Sequence, residues 1–265
     1  MKTNRRTEAN TRKDLAGVPN RAQMATAISE ALQIPFPIWG SGDIPQPLVC
    51  SDGDEGDWTV FANHHPRKSG AAITRALRRK LLASHKGDEA AYFDGQFVTT
   101  FDLTAKSGKW PDSSVEPDPG YDETASVRHR LVLYHNDKPI GFCTVGMALR
   151  SGNGTTGVEL GLNVFAVFVE PKHRGRGLSE LLAEGVGALT VDLVEQFASR
   201  LGRYWTGGSC PIEIVFEGEA ISEGGVRFGD CVEWQLEGQL GLAGLDDSSV
   251  VHLKNIVRPR CQNWG

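Results

Sequence analysis

A mixed α/β fold is what this sequence predicts: a central, mostly antiparallel sheet containing one parallel pair, with helices on both faces. Three stretches carry the expectation. Residues 127–135 and 140–149 are apolar-patterned runs joined by Asn136-Asp137-Lys138-Pro139, which is turn chemistry, so they form an antiparallel hairpin. Residues 158–169 supply a third run, dense in Val and Phe as suits a strand buried on both faces; Pro171, unable to donate a ladder hydrogen bond, marks its end. From Leu178 the period changes. Leu178, Leu181, Leu182, Val186, Leu189, Leu193, Val194 and Phe197 form a helical stripe that runs to residue 201, and Gly202 stops it. The short apolar run 211–216 lies parallel to the preceding strand if that helix is a crossover.

The remaining elements follow in chain order. Residues 1–21 lack a hydrophobic period and hold six Lys and Arg against two acids, a net +4 on a chain of net charge −5, which leaves about −9 on the rest. Such a tail is either a solvated start or a contact for nucleic acid or another acidic partner. Residues 22–32 form a short helix halted by Pro35 and Pro37, and residues 34–56, dense in Pro, Gly and Asp, read as an extended arm. Residues 58–61 make a first strand. Ser69 caps a helix over 69–82, where Ala72, Ile73, Ala76, Leu77 and Leu81 recur at helical spacing. Arg75, Arg78, Arg79 and Lys80 crowd its other faces, which are readable as a surface for an anionic partner or as ordinary solvated charge. Residues 92–103, with Asp94-Gly95 inside, have the chemistry of a β-hairpin. Residues 104–126 are a long loop of Ser, Gly, Pro and Asp, either a substrate-side lid or a plain insertion. Beyond residue 217 the pattern weakens: residues 217–225 show no helix, and 226–236 and 250–257 are expected as late strands. Residues 1–56 are thus a basic tail and arm, and residues 57–265 the folded domain.

The chemistry concentrates at Lys172-His173-Arg174-Gly175-Arg176-Gly177, between the third strand and the long helix. Two glycines let the backbone turn tightly and approach a ligand closely, because neither carries a Cβ. Successive N–H groups at a helix mouth, with the positive end of its dipole behind them, suit a polyanion such as a pyrophosphate. The turn is not a dinucleotide fingerprint, since Glu180 stands where the third glycine belongs, and it is not a P-loop, since no Gly-Lys-Ser/Thr closes it.

Residues 167–179, VFVEPKHRGRGLS, resemble motif A of the GNAT superfamily of acyl-CoA-dependent N-acyltransferases. That loop reads Arg/Gln-x-x-Gly-x-Gly/Ala after a strand ending in an apolar-x-apolar-x-Pro pattern. Arg174 takes its first position and Gly177 its second, while Ser179 stands where Gly or Ala is usual, a mild departure. The order of two antiparallel strands, then strand, anion loop and helix, is also the family's. The resemblance implies that backbone amides of Arg174, Gly175, Arg176, Gly177, Leu178 and Ser179 hold the pyrophosphate of acetyl-CoA. It implies also that the strand carrying Val167, Phe168 and Val169 splays from its neighbour and pairs with the pantetheine arm. The family's late helix, closing hairpin and acid tyrosine have no evident counterparts; the last tyrosine is Tyr204.

The reaction implied is direct attack of a primary amine on the acetyl thioester, with a base to take the ammonium proton. Glu159, near the start of the motif strand, is the candidate base; Glu170 and His173 are second choices that flank the cofactor entrance. The acceptor class stays open, and so does a competing reading as a catalytically weak or inactive binding module that engages nucleic acid or a protein through the tail and the Arg75–Lys80 segment. Cys50, Cys143, Cys210, Cys231 and Cys261 are scattered with no Cys-x-x-Cys, which argues for reduced thiols and against zinc, and His64, His65 and His85 lack ligand spacing. No metal is expected. No apolar run approaches the roughly twenty residues of a membrane helix, so the expectation is a cytoplasmic protein with no membrane contact.

Overall fold

The computed structural model describes residues 21–39, 46–53, 56–63, 65, 69–104, 112–115, 120–121, 123–151, 156–217, 222–243 and 250–257. The basic tail up to residue 20, His64, Cys261 and most of the 104–126 loop lie outside the described residues. The chain forms an α+β structure on an eight-stranded mixed sheet. Its elements are α1 (Arg21–Leu32), β1 (Val49–Gly53), β2 (Gly56–Ala62), α2 (Gly70–Ser84), α3 (Gly87–Thr100), β3 (Ser113–Val115), β4 (Glu123–His135), β5 (Lys138–Ser151), β6 (Val158–Val169), α4 (Leu178–Leu201), β7 (Cys210–Glu217), α5 (Glu223–Leu242) and β8 (Val251–Val257). The spatial order is β1-β2-β4-β5-β6-β7-β8, with β3 added to the free half of β4. Pairing is antiparallel from β1 to β6 and parallel from β6 to β8.

The hairpin β4–β5 turns at Asn136 and Asp137, whose φ angles of 46° and 63° are those of the two-residue turn that matches strand twist. Because side chains alternate along a strand, the hairpin serves two cores. Leu131, Leu133, Cys143 and Val145 join Leu160 and Leu162 in a large core under α1, α4 and α5, while Val132, Tyr134, Phe142 and Phe168 face α2 and α3 in a smaller aromatic one. Helices therefore cover both faces, as expected. Ser69 caps α2, its side chain accepting from the Ala72 N–H, and α4 spans the expected residues and ends at Gly202.

Three expectations fail. Residues 92–100 belong to α3, with Phe101 as its C-cap, rather than to a hairpin, and the reason is the four-residue spacing of Phe93, Phe97 and Phe101, which face the aromatic core. Asp94 is held there by a bidentate pair of 2.6 Å hydrogen bonds from Arg78. Residues 226–236 lie inside α5, where Phe228, Val232, Leu236 and Leu240 form a buried stripe. Ser222 caps that helix by accepting from the Gly225 N–H, so residues 217–225 include a helix start. Finally, the extended arm contains β1, and the expected division at residue 56 falls inside the β1–β2 hairpin. Of the late strands only β8 forms, parallel to β7.

Candidate functional site

The site begins where two paired strands part company. β6 pairs with β7 from Val158↔Ile212 to Asn163↔Glu217, and then β7 ends. β6 continues to Val169 with β5 on its other side. Its rungs slip at Thr144 and Val145, whose partners are Ala166 and Val164, so Phe165 is an extra residue, a bulge that bends the strand. The five rises from Val164 to Val169 give about 17 Å of backbone edge with no β7 partner among the described residues. Along it Phe168 is buried in the aromatic core, and Val167 and Val169 are half-buried against the larger one.

The loop after β6 is built by local hydrogen bonds. The Glu170 N–H donates to the Ile140 carbonyl at 2.8 Å, and Pro171–His173 form one 3-10 turn, with the His173 N–H donating to the Glu170 carbonyl at 2.8 Å. Arg174 folds back: its Nε donates to the Val169 carbonyl at 2.9 Å and its guanidinium lies 5.9 Å from the Phe168 ring centre. Gly175 and Gly177 then adopt φ of 77° and 71°, the left-handed region that penalises any residue with a Cβ. Gly177 is the N-cap of α4 and brings no side chain to cap the first turn. Leu178 is buried and Ser179 half-buried behind it. Glu180 lies over this mouth, close enough that a Cβ on Gly177 would stand 3.7 Å from its carboxylate. It complements the helix dipole, and an incoming polyanion must displace it.

A second set of groups braces the loop. Lys80 donates to Glu170 Oε2 and to the Pro139 carbonyl, both at 2.7 Å, tying α2 to the end of β6 and to the hairpin turn. Burial raises the Glu170 pKa, but Lys80 and Lys172 outweigh it and hold the carboxyl below the usual carboxylate range. The Trp58 ring stacks 4.0 Å from His135 and meets His173 edge-on at 5.9 Å. Burial, over the opposing pull of Glu170, keeps the His173 pKa below the ordinary imidazole value, so this ring supports the loop as a neutral group. Of the basic residues of α2, Arg78 and Lys80 are thus engaged within the fold, while Arg75 and Arg79 are exposed. His65 packs among Phe61 and Tyr134, and His85 against Phe93, in separate places.

Glu159 sits toward the start of β6, on the sheet face away from α4. It accepts from the Tyr121 hydroxyl at 2.7 Å and from Arg150 Nη1 at 3.4 Å. The bond to Glu159, followed by burial, raises the Tyr121 pKa. Arg150 also pairs with Glu217, the last residue of β7, and stacks 5.2 Å over the Tyr121 ring. The strand beneath this ion pair is Gly161: a Cβ there would fall 2.5 Å from both Arg150 Nη1 and Glu217 Oε1. Glu159 and the glycine turn are therefore at opposite ends of β6, four rises, or about 13 Å, separating Glu159 from the last rung at Asn163. Sequence reasoning missed Tyr121, Arg150 and Glu217: strand pairing brings Arg150 and Glu217 to Glu159, and Tyr121 reaches it from outside the strands. Among the described residues no group of three or more His, Cys, Asp or Glu side chains is arranged to hold a metal ion, and no helix is long and apolar enough to cross a membrane. No family model matches this sequence, and no curated protein matches it.

Proposed function

We propose that this chain is an N-acetyltransferase that takes acetyl-CoA as donor and transfers the acetyl group to a primary amine by direct attack. One observation carries the reading: a strand that, among the described residues, outlasts its parallel partner by about 17 Å leads through one 3-10 turn into a left-handed glycine turn at a helix N-terminus. The pyrophosphate would rest on the N–H groups of residues 175–179, where the dipole of α4 and the charges of Lys172, Arg174 and Arg176 favour it; the Arg174 N–H itself donates to the Pro171 carbonyl. The pantetheine arm, a chain of amides, would then add to the edge of β6 beyond its last β7 rung as a strand does, with its thioester end near Asn163. Attack there needs a carboxylate to take the ammonium proton, and the candidates on this face are Glu159 and Glu217. A cytoplasmic setting, where acetyl-CoA is available, is part of the proposal, and the acceptor is an amine of open class.

Calorimetric titration with acetyl-CoA tests the donor site. The natural chain should bind, and the double variant Gly177→Glu, Arg174→Glu should lose binding at least tenfold while keeping its circular dichroism spectrum. Equal affinity in the two proteins, or no binding by the natural chain, would remove the donor site and with it the acetyltransferase reading.

A further inference from the structure

We infer that the acceptor is a primary amine carrying an anionic oxygen group of its own, a carboxylate or a phosphate, and that Arg128, backed by Arg130, receives that group. The inference rests on the donor reading above and names its acceptor class. Strand register sets the place. Arg128 of β4 lies opposite Gly146 of β5, Gly146 opposite Asn163 of β6, and Asn163 opposite Glu217, the last rung that β6 shares with β7. Residues paired directly across strands share a face, so Arg128 stands in the row where the thioester would end.

The Phe165 bulge brings this cation across to β6. The Phe165 ring lies over Gly146, so closely that a Cβ there would fall 2.8 Å from its Cε2, and the Arg128 guanidinium stands over the ring, 5.3 Å from its centre. Phe165 is 36% exposed, so the ring is open to an incoming molecule. It lies two rises, about 7 Å, from Asn163, a span that a short alkyl chain bridges between an amine at the thioester and a second group at the guanidinium. The surroundings favour an anion there. Two residues along the same face, Arg130 is buried and pairs with Asp112 at 2.8 Å, and Thr144, opposite it on β5, is fully buried. The Arg130 Nε and the Thr144 hydroxyl find no partner among the described residues, which marks this stretch of the face as richer in donors than in acceptors. Burial lowers the Arg128 pKa, the charge of Arg130 lowers it further, and Asp112 opposes them with a smaller effect. An anionic group offsets both costs, since it screens one guanidinium from the other and accepts charge-assisted hydrogen bonds. The planar fork of a guanidinium fits the paired oxygens of a carboxylate or a phosphate.

The test measures thiol release from acetyl-CoA with three probe amines: n-butylamine, 4-aminobutyrate and 3-aminopropyl phosphate. Hydrogen bonds to a charged group contribute about tenfold to a hundredfold, so kcat/KM for at least one anionic amine should exceed that for n-butylamine by about that factor. The better of the two identifies the group. Arg128→Gln should abolish the ratio, and Arg128→Lys, which keeps the charge, should retain part of it. Acetyl-CoA affinity, followed by calorimetry, should stay that of the natural chain in both variants, which separates loss of the anion contact from loss of the fold. Turnover of n-butylamine equal to that of the anionic amines, or a ratio that survives in Arg128→Gln, would overturn the assignment. Thiol release from none of the probes while acetyl-CoA still binds would overturn it too, leaving the donor site standing. Absent acetyl-CoA binding by the natural chain would remove the donor reading itself.

Discussion

At the scale of single residues, the site is a set of opposed preferences. Gly175 and Gly177 turn the chain left-handed so that the mouth of α4 is open, yet Glu180 already complements the helix dipole there. A carboxylate near a helix N-terminus contributes about 0.3–1 kcal/mol. Removing its charge should cost the free protein that much and ease the approach of a polyanion. Glu180→Gln is expected to bind acetyl-CoA roughly two- to fivefold more tightly, from the same energy, and calorimetry would show it. Gly161 works differently. Its missing Cβ accommodates an ion pair rather than a turn, and no local sequence signal announces that; the need arises only once Arg150 and Glu217 are brought over it.

At the scale of elements, the α3 and α5 regions show how local chemistry misleads. Asp94-Gly95 is strong turn chemistry, and Tyr, Phe, Val and Thr around it favour strands, yet the aromatic core rewards a helix that aligns Phe93, Phe97 and Phe101. In α5 five glycines and several β-formers hide a stripe that repeats every four residues. The strands and helix around the glycine turn were legible because composition, periodicity and the proline stop all agree there. α1 teaches a related lesson. It buries Met24, Ala27, Ile28, Ala31 and Leu32 in the large core, and Arg200 of α4 donates to the Ile34 and Pro35 carbonyls while stacking 3.9 Å from the Phe36 ring. Residues 21–36, ahead of the expected division at residue 56, are therefore part of the packed structure. Ile28 is fully buried, so Ile28→Ala should cost about 2–5 kcal/mol, measured by chemical denaturation. A change below about 0.5 kcal/mol, the range of ordinary surface substitutions, would mean that α1 does not pack as described.

At the scale of the whole molecule, the two cores are joined through β4, and one polar group inside that strand makes stability depend on pH. His129 is buried; its Nδ1 faces the Asn63 amide at 2.9 Å, and Asn63 Oδ1 is already taken by the Arg130 N–H. Asn63 must therefore donate to His129, which requires a neutral ring. Burial, followed by the charge of Arg130, pushes the pKa down to about 4 from 6.5. The unfolded chain thus takes up a proton below about pH 6.5 that the folded chain refuses until about pH 4. Stability contributed this way is complete above pH 6.5 and is lost as pH falls through that window, by about 3 kcal/mol in all. Denaturation midpoints measured between pH 7 and pH 4 should follow this slope, and His129→Gln should flatten it.

The β4–β5–β6 strands, the glycine turn and α4 were readable from the residues alone, because each is specified by near neighbours: alternation within a strand, a proline that cannot pair, glycines that can turn left-handed, a stripe at helical spacing. Those residues sufficed to suggest a polyanion donor. Where the carboxylates stand is a matter of long-range packing. Arg150, Glu159 and Glu217 come from three strands, and Tyr121 from outside them; strand register, the early end of β7 and the space above Gly161 set their meeting. A one-residue slip of register would send those side chains to the opposite face, which is why no reading of one strand at a time could have joined them.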